Sequence, residues 1–354
     1  MNVFAEIHHD SLFNSLQILF EERLGGKLYR PIGEEWFKEG YWLIAAPYNN
    51  DPGTITQFLG IRDEVYRPTD GSRALNEIKE RGKGYYIIKG IKKDHNAVTL
   101  EQFKNISFDI IIASYLPHYQ TFTELRDKYQ PKAKVICQAG NNWLNSIDWN
   151  ITKNLMASCA PDSNVPTSVN KVFYHQEFSL DIYNYEAFQK TNIIRSFVNT
   201  FDISDLFKED YLFWLELEKK MPEFKFESYG ASNREGSILG DEKIAEFMRG
   251  SIPLHLKKGG DGYGYCIHQY FAAGRAPIVK MQYYKNQLAG QLMEDKITCI
   301  AIDGLNVDEA VDKIRHFVNN EYEKMCLNAY NKFKSIVNFD SEEKMIREFL
   351  STLQ

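Results

Sequence analysis

Lysines and glycines crowd one short stretch of the sequence, residues 254–279, which reads LHLKKGGDGYGYCIHQYFAAGRAPIV. Lys257 and Lys258 stand directly before a turn that contains Gly259, Gly260, Gly262 and Gly264. Glycine lets backbone N–H groups approach a ligand closely, and the start of a helix adds partial positive charge. The two ammonium groups bring full charges to the same place. This combination predicts a polyphosphate-binding site.

The apolar pattern around the turn indicates one strand–helix–strand unit. Apolar residues alternate up to residue 256, residues 266–273 repeat with helical spacing, and Gly274 ends the helix before an apolar run at 276–279. The turn therefore lies at the carboxyl end of a strand, which is where open parallel sheets bind ligands. The alternative is a glycine turn that only links strand to helix.

The spacing within this unit resembles the donor-site signature of GT-B-fold glycosyltransferases. Asp261 matches the first acidic residue, Gly264 the glycine, Gln269 the second acidic position and Gly274 the end of the helix. The resemblance implies that Asp261 holds sugar hydroxyls, that the turn covers the pyrophosphate and that Gln269 contacts the ribose. Two residues depart from the signature: Asp261 is one methylene shorter than the usual Glu, and Gln269 is a neutral amide that both accepts and donates.

The same resemblance implies that an Arg and a Lys neutralise the donor diphosphate. Arg195 lies in the first predicted strand of the second domain, but no Lys follows it at the expected spacing. We therefore expect Lys257 or Lys258 to take that role, with a solvated loop entrance as the alternative. The predicted donor-binding residues are Arg195, Lys257, Lys258, Gly260, Asp261, Gly262, Tyr263, Gly264 and Gln269.

Histidines follow two other predicted strands, and these are the candidates for acid–base chemistry. His8, His9 and Asp10 come after the first strand, and a carboxylate beside a histidine can orient it as a general base. The alternative is that Asp10 caps the next helix and the histidines only pack. His118 follows the apolar run 108–113 and could line an acceptor pocket, or be a structural histidine. Adjacent histidines in a strand point apart, which disfavours a metal site.

Alternating strand and helix patterns predict an α/β chain of two Rossmann-like domains. The resemblance implies that these domains face each other across a cleft, the GT-B arrangement. We place an acceptor-side domain at 1–178, with a lysine-rich hairpin inserted at about 63–98. The segment up to residue 189 is predicted to be a linker, and the nucleotide-sugar-binding domain covers 190–335. The last helix, within 336–354, is predicted to pack back on the first domain. The hairpin lysines either block strand pairing or dock an anionic acceptor.

Composition limits the class of protein. The chain has 354 residues, of which 44% are hydrophobic and 25% charged, and this suits two globular domains. The net charge of −6 argues against a protein that coats nucleic acid. Five scattered cysteines without CxxC spacing predict reduced thiols. With no evident signal peptide or membrane span, we expect a cytoplasmic protein.

These observations predict a glycosyltransferase that moves a sugar from a nucleoside-diphosphate sugar to an unidentified acceptor, without a metal or another cofactor. The acidic-x7-acidic resemblance implies retention at the anomeric carbon, whereas an inverting path needs His8 or His9 as base. The N-terminal phrase HHDSLFNSLQILFEERLGGKLYRPIG is similar to phage-encoded glycosyltransferases, which implies a modified DNA base or a surface polysaccharide as acceptor. The acceptors left open are a glycan, a lipid-linked acceptor and a modified DNA base. The alternatives are a sugar-nucleotide epimerase and a non-catalytic nucleotide-sugar-binding protein.

Overall fold

A computed structural model describes residues 1–5, 10–31, 36, 96–114, 119–140, 147–159, 165–230, 233–238, 240–258 and 262–354. The chain divides into two compact units. Unit 1 comprises Met1–Ser158, Asp162–Phe178 and Phe339–Gln354, and unit 2 comprises Cys159–Pro161 and Ser179–Asn338. The inserted hairpin predicted at 63–98 lies outside the described residues except for 96–98.

Unit 1 is built on a parallel sheet whose strand order is β3-β2-β1-β4-β5-β6-β7. Central strands such as β4 are apolar and buried at every position, as expected for parallel strands covered on both faces. The strands are β1 (Asn2–Ala5), β2 (Lys27–Pro31), β3 (Ala97–Val98), β4 (Ile110–Ala113), β5 (Lys134–Ala139), β6 (Asn154–Ala157) and β7 (Asn170–Phe173).

The order of these strands reverses at β1, which pairs with β2 on one side and β4 on the other. Ala5 of β1 is in register with Ile112 of β4, so the chain leaves both strands at the same edge of the sheet. Such a switch point is where an open parallel sheet offers a crevice to a ligand.

The helices of unit 1 come from both the N-terminal and the C-terminal parts of the chain. Helix α1 (Asp10–Gln17) continues as a π-helix (Ile18–Arg23), and it is followed by α2 (Leu100–Asn105), α3 (Tyr119–Tyr129) and α9 (Phe339–Ser351). Ile346 and Phe349 of α9 join the same buried cluster as Val3 of β1. A hydrogen bond of 2.7 Å between His175 Nδ1 and Glu342 Oε1 ties α9 to the segment that follows β7.

Unit 2 contains a second parallel sheet with the order β12-β11-β10-β8-β9. Its strands are β8 (Ile193–Ser196), β9 (Lys225–Ser228), β10 (Ile252–His255), β11 (Ile278–Val279) and β12 (Ile300–Ala301). Its helices are α4 (Lys208–Lys220), α5 (Asp241–Arg249), α6 (Tyr265–Ala272), α7 (Val307–Asn320) and α8 (Tyr322–Ile336). The predicted α/β class with two Rossmann-like units is confirmed.

The segment predicted to be a linker packs within unit 2. Tyr183 is only 1% exposed, and the ring of Tyr185 stacks on Tyr330 with 4.5 Å between the ring centroids. Aromatic side chains bury a large area and order the backbone that carries them. These contacts belong to unit 2, whose longer segment is Ser179–Asn338.

Candidate donor-binding site

The glycine turn leads from β10 into α6, and its described part requires glycine at two positions. Gly262 has φ 58° and Gly264 has φ 72°, in the left-handed region that side chains disfavour. A Cβ added at Gly264 would lie 2.7 Å from Cβ of Ala289, so the site has no room for one. Gly264 is the N-cap of α6 and brings no side-chain oxygen to cap the helix. The start of α6 therefore presents backbone and not side chain.

The side chain of Tyr263 points into unit 2 and shapes the turn from inside. Tyr263 is 2% exposed, and its ring stacks on His268 with 4.0 Å between centroids and 9° between planes. Nδ1 of His268 lies 3.0 Å from the carbonyl oxygen of Gly264. The sequence predicts Tyr263 as a donor-binding residue; its ring packs against His268, and its role toward a donor stays a prediction.

Gln269, the residue predicted to contact ribose, is only 4% exposed and faces the buried phenol of Tyr183. Burial raises the pKa of Tyr183, the charge of Asp241 adds to this, and a hydrogen bond with Gln269 acts in the opposite direction. A carboxylate at position 269 would lose its hydration on burial, which is unfavourable. The neutral amide therefore suits this environment.

Lys258 follows β10 and extends toward the start of α4. Its Nζ lies 2.7 Å from Oε2 of Glu209, and the two side chains are 46% and 80% exposed. The hydrogen bond lowers the pKa of Glu209 and raises the pKa of Lys258. Exposed pairs of this kind contribute little to stability and exchange partners readily. Lys257, its neighbour, is partly buried.

A second lysine, not predicted from the sequence, lies at the corresponding end of the neighbouring strand. Lys280 follows β11, and its Nζ is 2.6 Å from Oδ1 of Asp210, a carboxylate that is 1% exposed. The hydroxyl of Tyr283 donates to the same oxygen over 3.0 Å. Burial and the charge of Asp210 raise the pKa of the Tyr283 phenol. A lysine directly after the predicted strand 276–279 was the available sequence signal.

Arg195 is committed to contacts inside unit 2. Its Nε donates to Glu227 over 2.5 Å, and its Nη1 donates to the carbonyl oxygen of Phe247 over 2.8 Å. Phe247 lies near the end of α5, directly before β10 begins, so the guanidinium points to the amino edge of the sheet. The glycine turn follows the carboxyl end of β10. This placement argues against the donor-clamp role predicted for Arg195.

The structure describes no side chain for the remaining predicted site residues. His8, His9, His118, Gly260 and Asp261 lie outside the described residues. Asp10 is the first residue of α1, and the structure describes only its backbone. Their predicted roles stay predictions.

The described residues contain no group of three or more His, Cys, Asp or Glu side chains arranged to hold a metal ion. Within the same residues, none of the helices combines the length and the apolar character needed to cross a membrane.

Comparisons with known proteins give matches in structure but not in sequence. No protein-family model matches the chain, and a search of curated proteins gives no match. HepE from Anabaena, solved in complex with UDP and glucose, is 9% identical with a TM-score of 0.61, and the match covers 99% of each chain. HepE has also been solved in complex with UDP-glucose.

Two further structures have the same fold over nearly their whole length. Sucrose-phosphate synthase from Thermosynechococcus elongatus is 10% identical with a TM-score of 0.58, covering 98% of this chain and 97% of that one. A glycosyltransferase from Rickettsia africae is 13% identical with a TM-score of 0.57, covering 99% and 97%. The likeness to phage-encoded enzymes stays a prediction. The resemblance to GT-B glycosyltransferases is thus confirmed at the level of the fold, which this chain shares from end to end with the three proteins.

Proposed function

We propose that the chain is a glycosyltransferase whose donor is a nucleoside-diphosphate sugar bound by unit 2. The observation that carries the proposal is the start of α6, where left-handed Gly262 and Gly264 present backbone at the carboxyl end of β10. Backbone N–H groups at a helix start suit a phosphate. The shared fold with HepE, which binds UDP and UDP-glucose, supports a UDP-sugar as the first donor to test.

The proposed chemistry is breakage of the bond between the anomeric carbon and the donor phosphate, with transfer of the sugar to an acceptor nucleophile. Negative charge develops on the departing diphosphate, so fixed hydrogen-bond donors there lower the barrier. Backbone N–H groups of the 262–264 turn and the ammonium of Lys258 are the proposed donors. We propose a metal-independent, retaining reaction, because the spacing from Asp261 to position 269 resembles that of retaining enzymes.

The experiment is incubation of the purified protein with UDP-glucose and a panel of other nucleotide sugars, with release of the nucleoside diphosphate as readout. We expect slow hydrolysis of one donor even without acceptor. Formation of an epimer instead would contradict sugar transfer and favour an epimerase. Failure of every nucleotide sugar to bind would overturn the proposal.

The neutral Gln269, turned toward Tyr183, favours one second candidate: a protein that binds the nucleotide sugar without turnover. A donor that binds tightly but stays intact, both alone and with glycan, lipid-linked and DNA acceptors, would select this candidate. DNA binding is checked at several salt concentrations, since a phosphate-contacting protein loses affinity as salt rises.

A further inference from the structure

We infer that Lys280 is a second cation of the donor site, fixed in place by Asp210 and Tyr283 and available to a phosphate oxygen. The inference rests on the proposed function and adds to it a residue from a different strand. Lys258 follows β10 and Lys280 follows β11, and these strands are parallel neighbours with Leu254 in register with Ile278. The two lysines therefore leave the sheet at the same edge as the glycine turn.

Ion pairs with two consecutive carboxylates place the two lysines in one neighbourhood. Glu209 and Asp210 are consecutive at the start of α4, and each pairs with one of the lysines. The pKa of Glu209 is lowered by its hydrogen bond with Lys258 first, and also by the charge of Lys280. Asp210 in turn contributes to the raised pKa of Lys258. An anion that reaches one ammonium therefore also experiences the field of the other.

The ion pair between Lys280 and Asp210 leaves hydrogen-bonding capacity on both side chains. An ammonium has three N–H donors, and among the described residues that of Lys280 meets only Asp210 Oδ1 at 2.6 Å and Tyr283 Oη at 3.5 Å. Oδ2 of Asp210 is buried and has no hydrogen-bond partner in the described part of the chain. Buried polar atoms in folded proteins nearly always have a partner in the protein, in a ligand or in ordered water, so Oδ2 keeps acceptor capacity for a group bound beside it.

A second ion pair in unit 2 provides a comparison, because both oxygens of its carboxylate have partners. Glu227 is 5% exposed, and its Oε2 accepts from Arg195 Nε at 2.5 Å and from Tyr229 Oη at 3.4 Å. Its other oxygen, Oε1, lies 2.6 Å from Nζ of Lys225. Both carboxylate oxygens are therefore engaged, in contrast to those of Asp210. A purely structural role explains the Glu227 contact but leaves half of the Asp210 carboxylate unaccounted for.

The surroundings of Lys280 hold its ammonium in one place while keeping it accessible. Its side chain is 17% exposed, and its Nζ lies 5.2 Å from the ring centroid of Phe213 and 5.6 Å from that of Tyr283. Aromatic faces attract a cation and limit its movement. A preorganised cation binds a phosphate oxygen with less loss of side-chain entropy than an exposed lysine does. The ligand class is therefore a diphosphate, with a neighbouring hydroxyl as the donor group for Asp210 Oδ2.

The test measures binding of UDP and of inorganic pyrophosphate by calorimetry. Lys280→Met is combined with Asp210→Asn, because Lys280→Met alone would leave a buried charge unpaired. The matched control is Lys313→Met with Asp295→Asn, which removes an ion pair with a similarly exposed lysine: its Nζ–Oδ2 distance is 2.8 Å, and the lysine and aspartate side chains are 19% and 33% exposed. Melting temperatures check that both variants fold.

We expect the Lys280/Asp210 variant to lose affinity for both ligands roughly tenfold, as for a lost hydrogen bond to a charged group. The control should stay within about twofold of the wild type, since it leaves the donor site intact. The inference would be overturned if the Lys280/Asp210 variant kept its UDP affinity within twofold of wild type while Lys258→Met weakened binding. That result would leave the proposed function standing. No UDP binding by the wild-type protein would contradict both.

Discussion

The phenol of Tyr183 and the amide of Gln269 form a hydrogen bond in the interior of unit 2, with 1% and 4% of the two residues exposed. Tyr183 belongs to the segment predicted to be a linker, and Gln269 lies in α6, which starts at the glycine turn. The contact explains in physical terms why position 269 carries an amide. A neutral group keeps its hydrogen bond there without the cost of a buried charge.

Replacing Gln269 by Glu is expected to lower the free energy of unfolding by about 1 to 3 kcal/mol at neutral pH, since it places a carboxylate at a position that is only 4% exposed. Burial raises the folded-state pKa of the new carboxyl above its unfolded value. The deficit relative to wild type is therefore small below the unfolded pKa, about 4.3, and grows as the pH rises through the folded pKa. Urea unfolding at pH 4 and pH 7.5 measures both.

The control for this prediction is Gln291→Glu, at an exposed position in the short helix Leu288–Leu292 of the same unit. It should leave the unfolding free energy within about 0.5 kcal/mol of wild type at both pH values. Equal stability of Gln269→Glu and wild type at pH 7.5 would show that position 269 is not enclosed as described.

Gly264→Ala is expected to destabilise unit 2 more than Gly236→Ala. Both glycines have positive φ, 72° and 75°, so both variants pay a backbone cost of about 1 to 2 kcal/mol. Only at Gly264 does the new Cβ meet another atom, Cβ of Ala289 at 2.7 Å. Chemical denaturation compares the two variants. Adding Ala289→Gly should recover part of the Gly264→Ala loss; no recovery would contradict the described contact.

Arg195→Met is expected to lower stability by about 3 kcal/mol, because it leaves Glu227 buried without its guanidinium partner. Donor affinity of the folded variant should change less than about twofold, since Arg195 points to the amino edge of the sheet. Thermal melting and UDP titration measure these two quantities. A large loss of UDP affinity with unchanged melting would restore the donor role that the sequence predicted.

The pH dependence of the wild-type protein gives a related check. Burial opposes ionisation of Glu227, but hydrogen bonds from Lys225 and Arg195 hold its pKa below the usual 4.5. A lowered folded-state pKa stabilises the protein above pH 4.5, and this contribution is lost as the pH falls through the folded value. Arg195→Met should therefore show a shallower loss of stability between pH 5 and pH 3 than wild type. Parallel curves would contradict this.

Asp261→Ala and Lys257→Ala are each expected to weaken donor binding several-fold, about the loss of one hydrogen bond to a charged group, with little change in melting temperature. Lys285→Ala, at an exposed position in the same unit, is the control and should bind like wild type. Fluorescence or calorimetric titration with UDP-glucose gives the affinities. Unaltered affinity in both variants would count against the donor site at this turn.

Local sequence patterns predicted the elements of the fold better than they predicted the contacts of the site. The apolar run at 108–113 and the glycine signals at 262, 264 and 274 are local, and the structure has β4 at Ile110–Ala113 and α6 at Tyr265–Ala272. Each depends on hydrophobic period and on backbone conformations that only glycine adopts easily. A window of about ten residues contains all the information that such a pattern needs.

The contacts that were missed join residues far apart in the chain. Lys280 and Asp210 are separated by 70 positions, and Arg195 and Glu227 by 32. Neither pairing leaves a periodic trace, because it follows from the order of strands in the sheet. Sequence reasoning predicts cations near the turn, but it does not show that Lys280 pairs with Asp210 or that Arg195 pairs with Glu227.

A crystal structure with UDP bound tests the central claim most directly. The account predicts the diphosphate against the backbone N–H groups at the 262–264 turn, with an ammonium of Lys258 or Lys280 within hydrogen-bond distance of a phosphate oxygen. A structure with UDP bound elsewhere, and the turn closed by its own side chains, would contradict it.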